Sequence, residues 1–206
     1  MHTSRVAVAL GAALALAAAP FVSATAAAAA SGTNSGSSHA SDFAYVAGTP
    51  SGGCTQIMSP AGYPAGTLLA DLGGIADFTP VSRVGRFHFS PTLEKRSVPA
   101  GWGVWGSPPD TETATPHILY TGAATSITIK KRKSTTLGME VQPSPFAVHT
   151  FTAVYQGKGG ASCTITRDAD GAAGARVLAA TTTFRIKSVA VSSDVQFAIA
   201  AVRAKK

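Results

Sequence analysis

The chain has 206 residues, 45% of them hydrophobic, and its 17 lysines and arginines outnumber its 10 acidic residues to give a formal charge of +7. This length is ordinary for one domain and excludes a chain too short to bury a core of its own. The basic balance favours anionic partners over cationic ones.

The first thirty residues have the three parts of a secretory signal peptide. Met1–Arg5 carries a positive charge, Val6–Val22 is almost wholly apolar, and Ser23–Ala26 offers a small-x-small cleavage site. An uncleaved anchor is the alternative, because the apolar run is nearly long enough to span a bilayer. We predict that residues 1–30 are removed, which places the mature protein outside the cell without a stable membrane anchor.

The mature chain is predicted to contain a spacer and one domain. Residues 31–41 are small, polar and aperiodic, which is typical of a flexible spacer. Residues 42–206 are predicted to form a single domain. Its first part, Asp42–Pro80, is rich in glycine and proline, so short strands and loops are expected there rather than long helices.

From Arg83 onward, short segments alternate apolar and polar residues and are bounded by turn formers. Arg83–Phe89 is predicted to be one strand with Phe87 and Phe89 on one face, and Ser126–Lys130 is predicted to be another with Ile127 and Ile129 on one face. Further strands are predicted at 117–120, 137–141, 148–155, 162–166, 177–180, 184–191 and 195–202. This spacing is typical of an all-β antiparallel sandwich or barrel, and we predict the sandwich.

Three connections between these strands are predicted. Asp170–Gly171 is a strong tight-turn dipeptide, and Gly157–Gly160 is a second turn. Lys131–Ser134 lies between two strand patterns and is predicted to be a charged hairpin tip. No convincing helix is expected in the mature chain.

Cys54 and Cys163 are the only cysteines in the sequence. Exported thiols in an oxidising compartment tend to pair, and we predict a disulfide between them. Two buried free thiols are the alternative. The disulfide would attach the weakly patterned N-terminal part of the domain to its C-terminal half.

Several blocks between Trp102 and Arg203 carry a resemblance to a known group. These blocks are Gly103–Glu112, Thr115–Tyr120, Val141–Phe146, Gly171–Arg176 and Phe197–Arg203. They resemble uncharacterised bacterial secreted and surface proteins, many of which end in a sorting tail of the Pro-Glu-Pro type. This sequence lacks that tail. The resemblance implies a jelly-roll-like β-sandwich and an extracellular location, and it implies no reaction.

Trp102 and Trp105 lie together in a loop rich in glycine and proline. Exposed aromatic rings on such loops can stack on sugar rings, whereas buried rings would instead fill the end of the sandwich. Both interpretations stay open at this stage. If only one of the two rings is exposed, we expect it to be Trp105.

Lys130, Lys131, Arg132 and Lys133 form the densest run of charge in the sequence. Outside a cell, such a run would hold an anionic wall polymer or an acidic polysaccharide through salt-dependent contacts. A solvated turn that discourages pairing between sheet edges is the alternative. No nucleic acid is expected as the partner in vivo.

Other residues provide weaker candidates for sites. Asp110 and Glu112 are neighbouring acids, but a glycosidase needs two carboxyls at a defined separation, and an acidic loop does not establish one. Asp168 and Asp170 resemble a fragment of a calcium loop, which a simple Asp-Gly turn also explains. His88 and His149 are expected to face solvent, without a zinc site. No cofactor is predicted.

The familiar local signatures of enzymes are absent from the sequence. There is no G-x-S-x-G elbow, no H-E-x-x-H helix, no phosphate loop and no dinucleotide fingerprint. We therefore predict a secreted, non-catalytic domain that binds carbohydrate or a cell-wall polymer. A small secreted polysaccharide hydrolase and a purely structural assembly module are the alternatives.

Overall fold

The computed structural model describes residues 52–206, apart from the side chain of Arg132. The predicted signal peptide and spacer therefore lie outside the described residues, which all fall in one compact unit. Ten strands are present in this part of the chain: β1 Cys54–Ile57, β2 Leu68–Leu69, β3 Pro80–Val84, β4 Phe87–Ser97, β5 His117–Tyr120, β6 Ser126–Pro143, β7 Val148–Gln156, β8 Ser162–Asp170, β9 Arg176–Ser192 and β10 Phe197–Lys205. Two single 3₁₀ turns, Pro60–Gly62 and Lys158–Gly160, are the only helical elements within residues 52–206.

All ten strands belong to one antiparallel sheet, so the all-β prediction is confirmed. Its main order is β2-β10-β5-β4-β6-β9-β7-β8, with β1 paired to β9 and β3 paired to β4. Strand β10 also pairs with β6, from Phe197 opposite Pro143 to Lys205 opposite Thr136. This extra pairing closes an antiparallel barrel through β4, β5, β10 and β6, to which the remaining strands are added. Two stacked sheets in jelly-roll order stay a prediction.

The alternating apolar side chains point into the core, as the sequence predicts. Phe87 and Phe89 are buried on one face of β4, and Ile127 and Ile129 are buried on one face of β6. They join a continuous apolar core with residues of β3 and of β5 to β10. Burial of these side chains supplies the main stabilisation of the fold, at roughly 25 cal/mol for each Å² removed from water.

Three of the predicted strand boundaries are wrong. The segments 177–180 and 184–191 are not two strands, because both lie inside β9. Arg83–Phe89 is not one strand but a hairpin, in which Gly85 and Arg86 turn the chain from β3 into β4. Gly85 has a φ of 54°, which glycine adopts without steric penalty. Conversely, Lys131–Ser134 is not a hairpin tip. It lies inside the 18-residue strand β6.

Strand β6 continues through Lys131–Ser134, but its pairing with β9 is irregular there. The pairing with β9 shifts register between Lys130 and Ser134 and again before Thr136. Lys133 has a φ of 65°, in the left-handed region, so the backbone turns locally without ending the strand. The sequence pattern shows two strands here because the alternation loses phase at such a bulge.

The predicted disulfide between Cys54 and Cys163 is confirmed, with a Cα–Cα distance of 5.9 Å. It joins β1 to β8 across a sequence separation of 109 residues. Constraining the unfolded chain over such a loop contributes about 4–5 kcal/mol in a chain-entropy model. The turns at Asp170–Gly171 and Gly157–Gly160 are also confirmed, since they follow β8 and β7 respectively.

A second apolar cluster lies on the outer face of the sheet. It is covered by residues 98–116 between β4 and β5, hereafter the Trp loop. The buried members of this cluster are Val98, Trp105, Ile118, Ala175, Ala198 and Ala200, with Trp102 packed against them. The sheet is therefore buried on both faces where the Trp loop lies over β5, β6 and β10.

Candidate functional site

The run of cations in β6 is one part of a larger basic groove. Lys130 pairs with His88 across the β4–β6 ladder, which places it beside the β3–β4 hairpin and its Arg83 and Arg86. The C-terminal end of β10 reaches the same place, because Lys205 pairs with Thr136 of β6. Three segments that are far apart in sequence therefore bring their positive charges together.

This surface consists of two adjoining cavities, which we call the basic groove. One has a volume of about 680 Å³ and is lined by Arg83, Arg86, His88, Lys130, Lys131, Lys133 and Lys206 among others. The other, of about 760 Å³, is lined by Leu68, Leu69, Asp71, Phe87 and Lys205 among others. Arg86, Lys131 and Lys206 line both, so the two cavities are neighbours. Among the described lining residues, Asp71 is the only acid.

The electrostatics of the basic groove favour an anion. Lys131 is 2% exposed, and its pKa is lowered by burial and then by the nearby charges of Arg86 and Lys206. Its ammonium lies 5.9 Å from the centre of the Phe87 ring. Because neighbouring cations repel each other, a bound anion would lower the electrostatic energy of this surface. Arg132, the fourth predicted cation, lies outside the described side chains.

Trp105 does not contact solvent, and the expectation that it would be the exposed tryptophan is wrong. Its ring is 1% exposed, and its Nε1 donates a hydrogen bond to Glu140 Oε2 at 2.7 Å. The backbone N–H of Glu112 donates to Glu140 Oε1 at 2.6 Å. Trp105 therefore holds the Trp loop on the sheet, and a sugar could not reach its ring.

Glu140 is a buried carboxylate that the sequence pattern does not reveal. It alternates with Met139 and Val141 along β6, yet both faces of the strand are buried here. Burial raises the pKa of Glu140 to about 7, although the hydrogen bonds from Trp105 and from the Glu112 backbone act in the opposite direction. A polar residue at an alternating position normally indicates a solvent-facing side, and nothing local in the sequence contradicts that interpretation.

The surroundings of Glu140 form a compact polar cluster. Glu112 Oε1 lies 2.6 Å from Arg203 Nε, and the Arg203 guanidinium lies 5.5 Å from the centre of the Tyr63 ring. Tyr63 packs on Gly138, where a Cβ would come within 2.8 Å of the Tyr63 hydroxyl. Burial raises the pKa of Tyr63 well above its usual value. This cluster anchors the Trp loop and the 57–63 segment to the sheet.

Trp102 is half-buried and lines a smaller groove, which we call the aromatic groove. Its Nε1 donates to Gln142 Oε1 at 2.8 Å, and its ring centre lies 5.4 Å from that of Tyr120. The guanidinium of Arg96, a residue of β4, lies 4.2 Å from the centre of the Tyr120 ring. The groove has a volume of about 230 Å³, and Phe146 and Val104 also line it.

The predicted acids do not form a shared site. Asp110 lies 3.6 Å from Arg176, whereas Glu112 pairs with Arg203. Asp168 accepts a hydrogen bond from the Thr150 hydroxyl at 2.6 Å, and Asp170 accepts one from the Ala172 N–H at 2.9 Å. Within residues 52–206, no group of three or more histidine, cysteine or acidic side chains is placed to hold a metal ion.

The two mid-strand histidines differ in their surroundings. His88 is exposed and lines the basic groove. His149 does not face solvent freely, because its side chain is 13% exposed and its Nδ1 lies 2.9 Å from Asp194 Oδ1. The prediction that both face solvent is therefore right for His88 and wrong for His149. Neither residue indicates a catalytic site.

Comparisons with known proteins add little to this description. No family model and no curated protein matches the sequence. One solved structure with a partial likeness is the enzymatically active domain of tailspike protein 4 from bacteriophage CBA120, at 13% identity and a TM-score of 0.32. The match covers 60% of this chain and 20% of that chain, so this chain spans about a fifth of the matched structure.

Among residues 52–206, no helical segment has the length and hydropathy of a membrane span.

Proposed function

We propose that this protein is an exported, non-catalytic domain that binds an anionic polymer at the cell exterior through its basic groove. One observation carries the proposal: cations from the β3–β4 hairpin, the β6 bulge and the end of β10 line two adjoining cavities that share Arg86, Lys131 and Lys206. An isolated run of lysines would be an ordinary solvated strand segment. Convergence of three separate segments instead provides an extended positive field for a chain of negative charges.

The size of the surface supports a polymeric ligand. The two adjoining cavities have volumes of about 680 and 760 Å³ and share Arg86, Lys131 and Lys206. A small anion would occupy only a part of this volume. A polymer such as an acidic polysaccharide or a phosphate-containing wall polymer would contact many of the cations together. The confirmed disulfide is compatible with export. Export itself and the jelly-roll arrangement both stay predictions.

The test measures binding of alginate and of purified wall teichoic acid at several salt concentrations. We expect the logarithm of the binding constant to fall linearly with the logarithm of the salt concentration, because each contact releases counterions. The double variant Lys130→Gln/Lys133→Gln should make this slope less steep, by roughly 0.7 for each lost contact on the value for single-stranded nucleic acids. Both lysines are exposed, so the fold should persist.

Lys158→Gln/Lys187→Gln is the matched control, because it removes the same charge from exposed positions that do not line the basic groove. Its salt slope should equal that of the unchanged protein. Equal effects of the two double variants would show that net charge alone drives binding, and would contradict a specific groove. Release of shorter products from either polymer would favour the hydrolase alternative.

A further inference from the structure

The aromatic groove is a second surface whose chemistry differs from that of the basic groove. The two share no lining residue. Trp102 and Tyr120 form one wall, with their ring planes inclined at 52°. Phe146, 77% exposed, and Val104, 50% exposed, lie at the edge of the groove. Exposed side chains of this size beside a concavity are typical of a ligand-binding surface.

The polar groups of the aromatic groove are already oriented by the protein. The indole N–H of Trp102 is used by Gln142, whose own Nε2 donates to the Gly171 carbonyl at 3.0 Å. Arg96 Nε donates to Glu94 at 2.6 Å, so the charge of this arginine is largely balanced. What Trp102 offers to a ligand is therefore the face of its ring, and the groove as a whole is close to neutral.

We infer that the anionic polymer is a polysaccharide, and that the aromatic groove holds one of its pyranose rings against Trp102 and Phe146; this inference rests on the proposed function. A pyranose has an apolar C–H face that packs on an aromatic ring and a rim of hydroxyls that contacts polar groups such as Arg96 and Ser144. A polyphosphate has no such face. The basic groove would hold the acidic groups of the same polymer.

A single-stranded nucleic acid fits this arrangement less well. Proteins that bind such strands combine stacking platforms with cations that follow the backbone along the same groove. Here the inclined rings of Trp102 and Tyr120 make a concave pocket rather than parallel platforms, and the main group of cations lies in a different groove. An acidic polysaccharide carries both apolar ring faces and acidic groups, so it matches two separate surfaces.

The test compares the affinities of the purified protein for acidic polysaccharides (alginate, hyaluronan and pectate), sodium polyphosphate and an oligothymidylate. We expect at least one polysaccharide to bind and Phe146→Ser to weaken its binding about tenfold, by analogy with the loss of one stacking contact. Polyphosphate binding should change less than twofold. Because Phe146 is exposed, this variant should fold.

Two further variants keep the test decisive. Val148→Ser removes an apolar side chain of 53% exposure that does not line the aromatic groove, and it should leave every affinity unchanged. Trp102→Phe keeps a stacking face but leaves Trp105 as the only tryptophan. Polysaccharide should therefore change the tryptophan emission of the unchanged protein and not that of Trp102→Phe.

The outcomes separate this inference from the proposed function. Binding of polysaccharide and polyphosphate with equal affinity, unaffected by Phe146→Ser, would overturn the pyranose site while leaving the basic groove intact. Oligothymidylate binding that depends on Phe146 would assign the aromatic groove to nucleobases and would also overturn it. Absence of binding to every polyanion would overturn the proposed function, and with it the inference.

Discussion

The two halves of strand β6 have the same alternating pattern and opposite environments. In Ser126–Lys130, Ile127 and Ile129 are buried while Lys130 is exposed to the basic groove. In Leu137–Pro143, every residue is buried, including Glu140 and Gln142. The difference arises because the Trp loop and the 57–63 segment cover the second half and leave the first half open. Covering a strand on its second face converts a polar position from a surface feature into a structural one.

The largest expected effect in the covered half comes from Trp105→Ala. It removes a fully buried ring and leaves Glu140 without one of its two donors. We expect the free energy of unfolding to fall by about 3–5 kcal/mol, from lost apolar burial and the cavity that remains. Denaturant unfolding measures this effect.

Trp102→Ala serves as the comparison for that variant, since Trp102 is only half-buried. Trp102→Ala should lower the free energy of unfolding by clearly less than Trp105→Ala does. Equal losses for the two would show that the Trp loop is not held mainly through Trp105 and Glu140.

The next effect is a pH dependence that arises from Glu140. Its pKa of about 7 in the folded protein exceeds the ordinary value of 4.5, so the folded state binds a proton that the unfolded state has released. The contribution of Glu140 to the free energy of unfolding is greatest below about pH 4.5 and is lost as the pH rises through 7. At 1.36 kcal/mol for each pH unit, the loss is at most about 3 kcal/mol.

Glu140→Gln removes this titration while keeping the shape of the side chain. The groups that face Glu140 are Trp105, Glu112, Arg203 and Tyr63, and a Gln amide can accept from only one of the two N–H donors, so the variant should be less stable at every pH. We expect the unfolding free energy of the variant to fall less between pH 5 and pH 8 than that of the unchanged protein. The same slope in both proteins would be evidence that Glu140 does not carry the pH dependence.

The smallest expected effect belongs to the open half of β6. Lys130→Gln/Lys133→Gln should change the unfolding free energy by no more than about 0.5 kcal/mol, as is usual for exposed positions. Removing mutual repulsion between cations favours a small gain, which added salt should reduce. Thermal unfolding at low and high salt measures it. A loss of several kcal/mol would show that these lysines are structural, and would weaken the comparison between the two halves.

The sequence alone determined the all-β class, the disulfide and several of the side chains that fill the core, but not the closure of the sheet into a barrel. Each of these depends on information close along the chain or on a single possible pairing. Period-two alternation placed Phe87, Phe89, Ile127 and Ile129 correctly, and the two cysteines of the sequence had only each other as partners. The alternation could not show that Lys131–Ser134 continues a strand, because a bulge changes its phase.

Only the tertiary structure decided which polar residues meet. Glu140 is buried because a loop from 98–116 lies over it, and the basic groove exists because Lys130 pairs with His88 and Lys205 pairs with Thr136. Both outcomes depend on contacts between residues that are distant in sequence. A local pattern specifies which face of a strand is apolar, whereas the burial of its other face depends on what the rest of the chain places there.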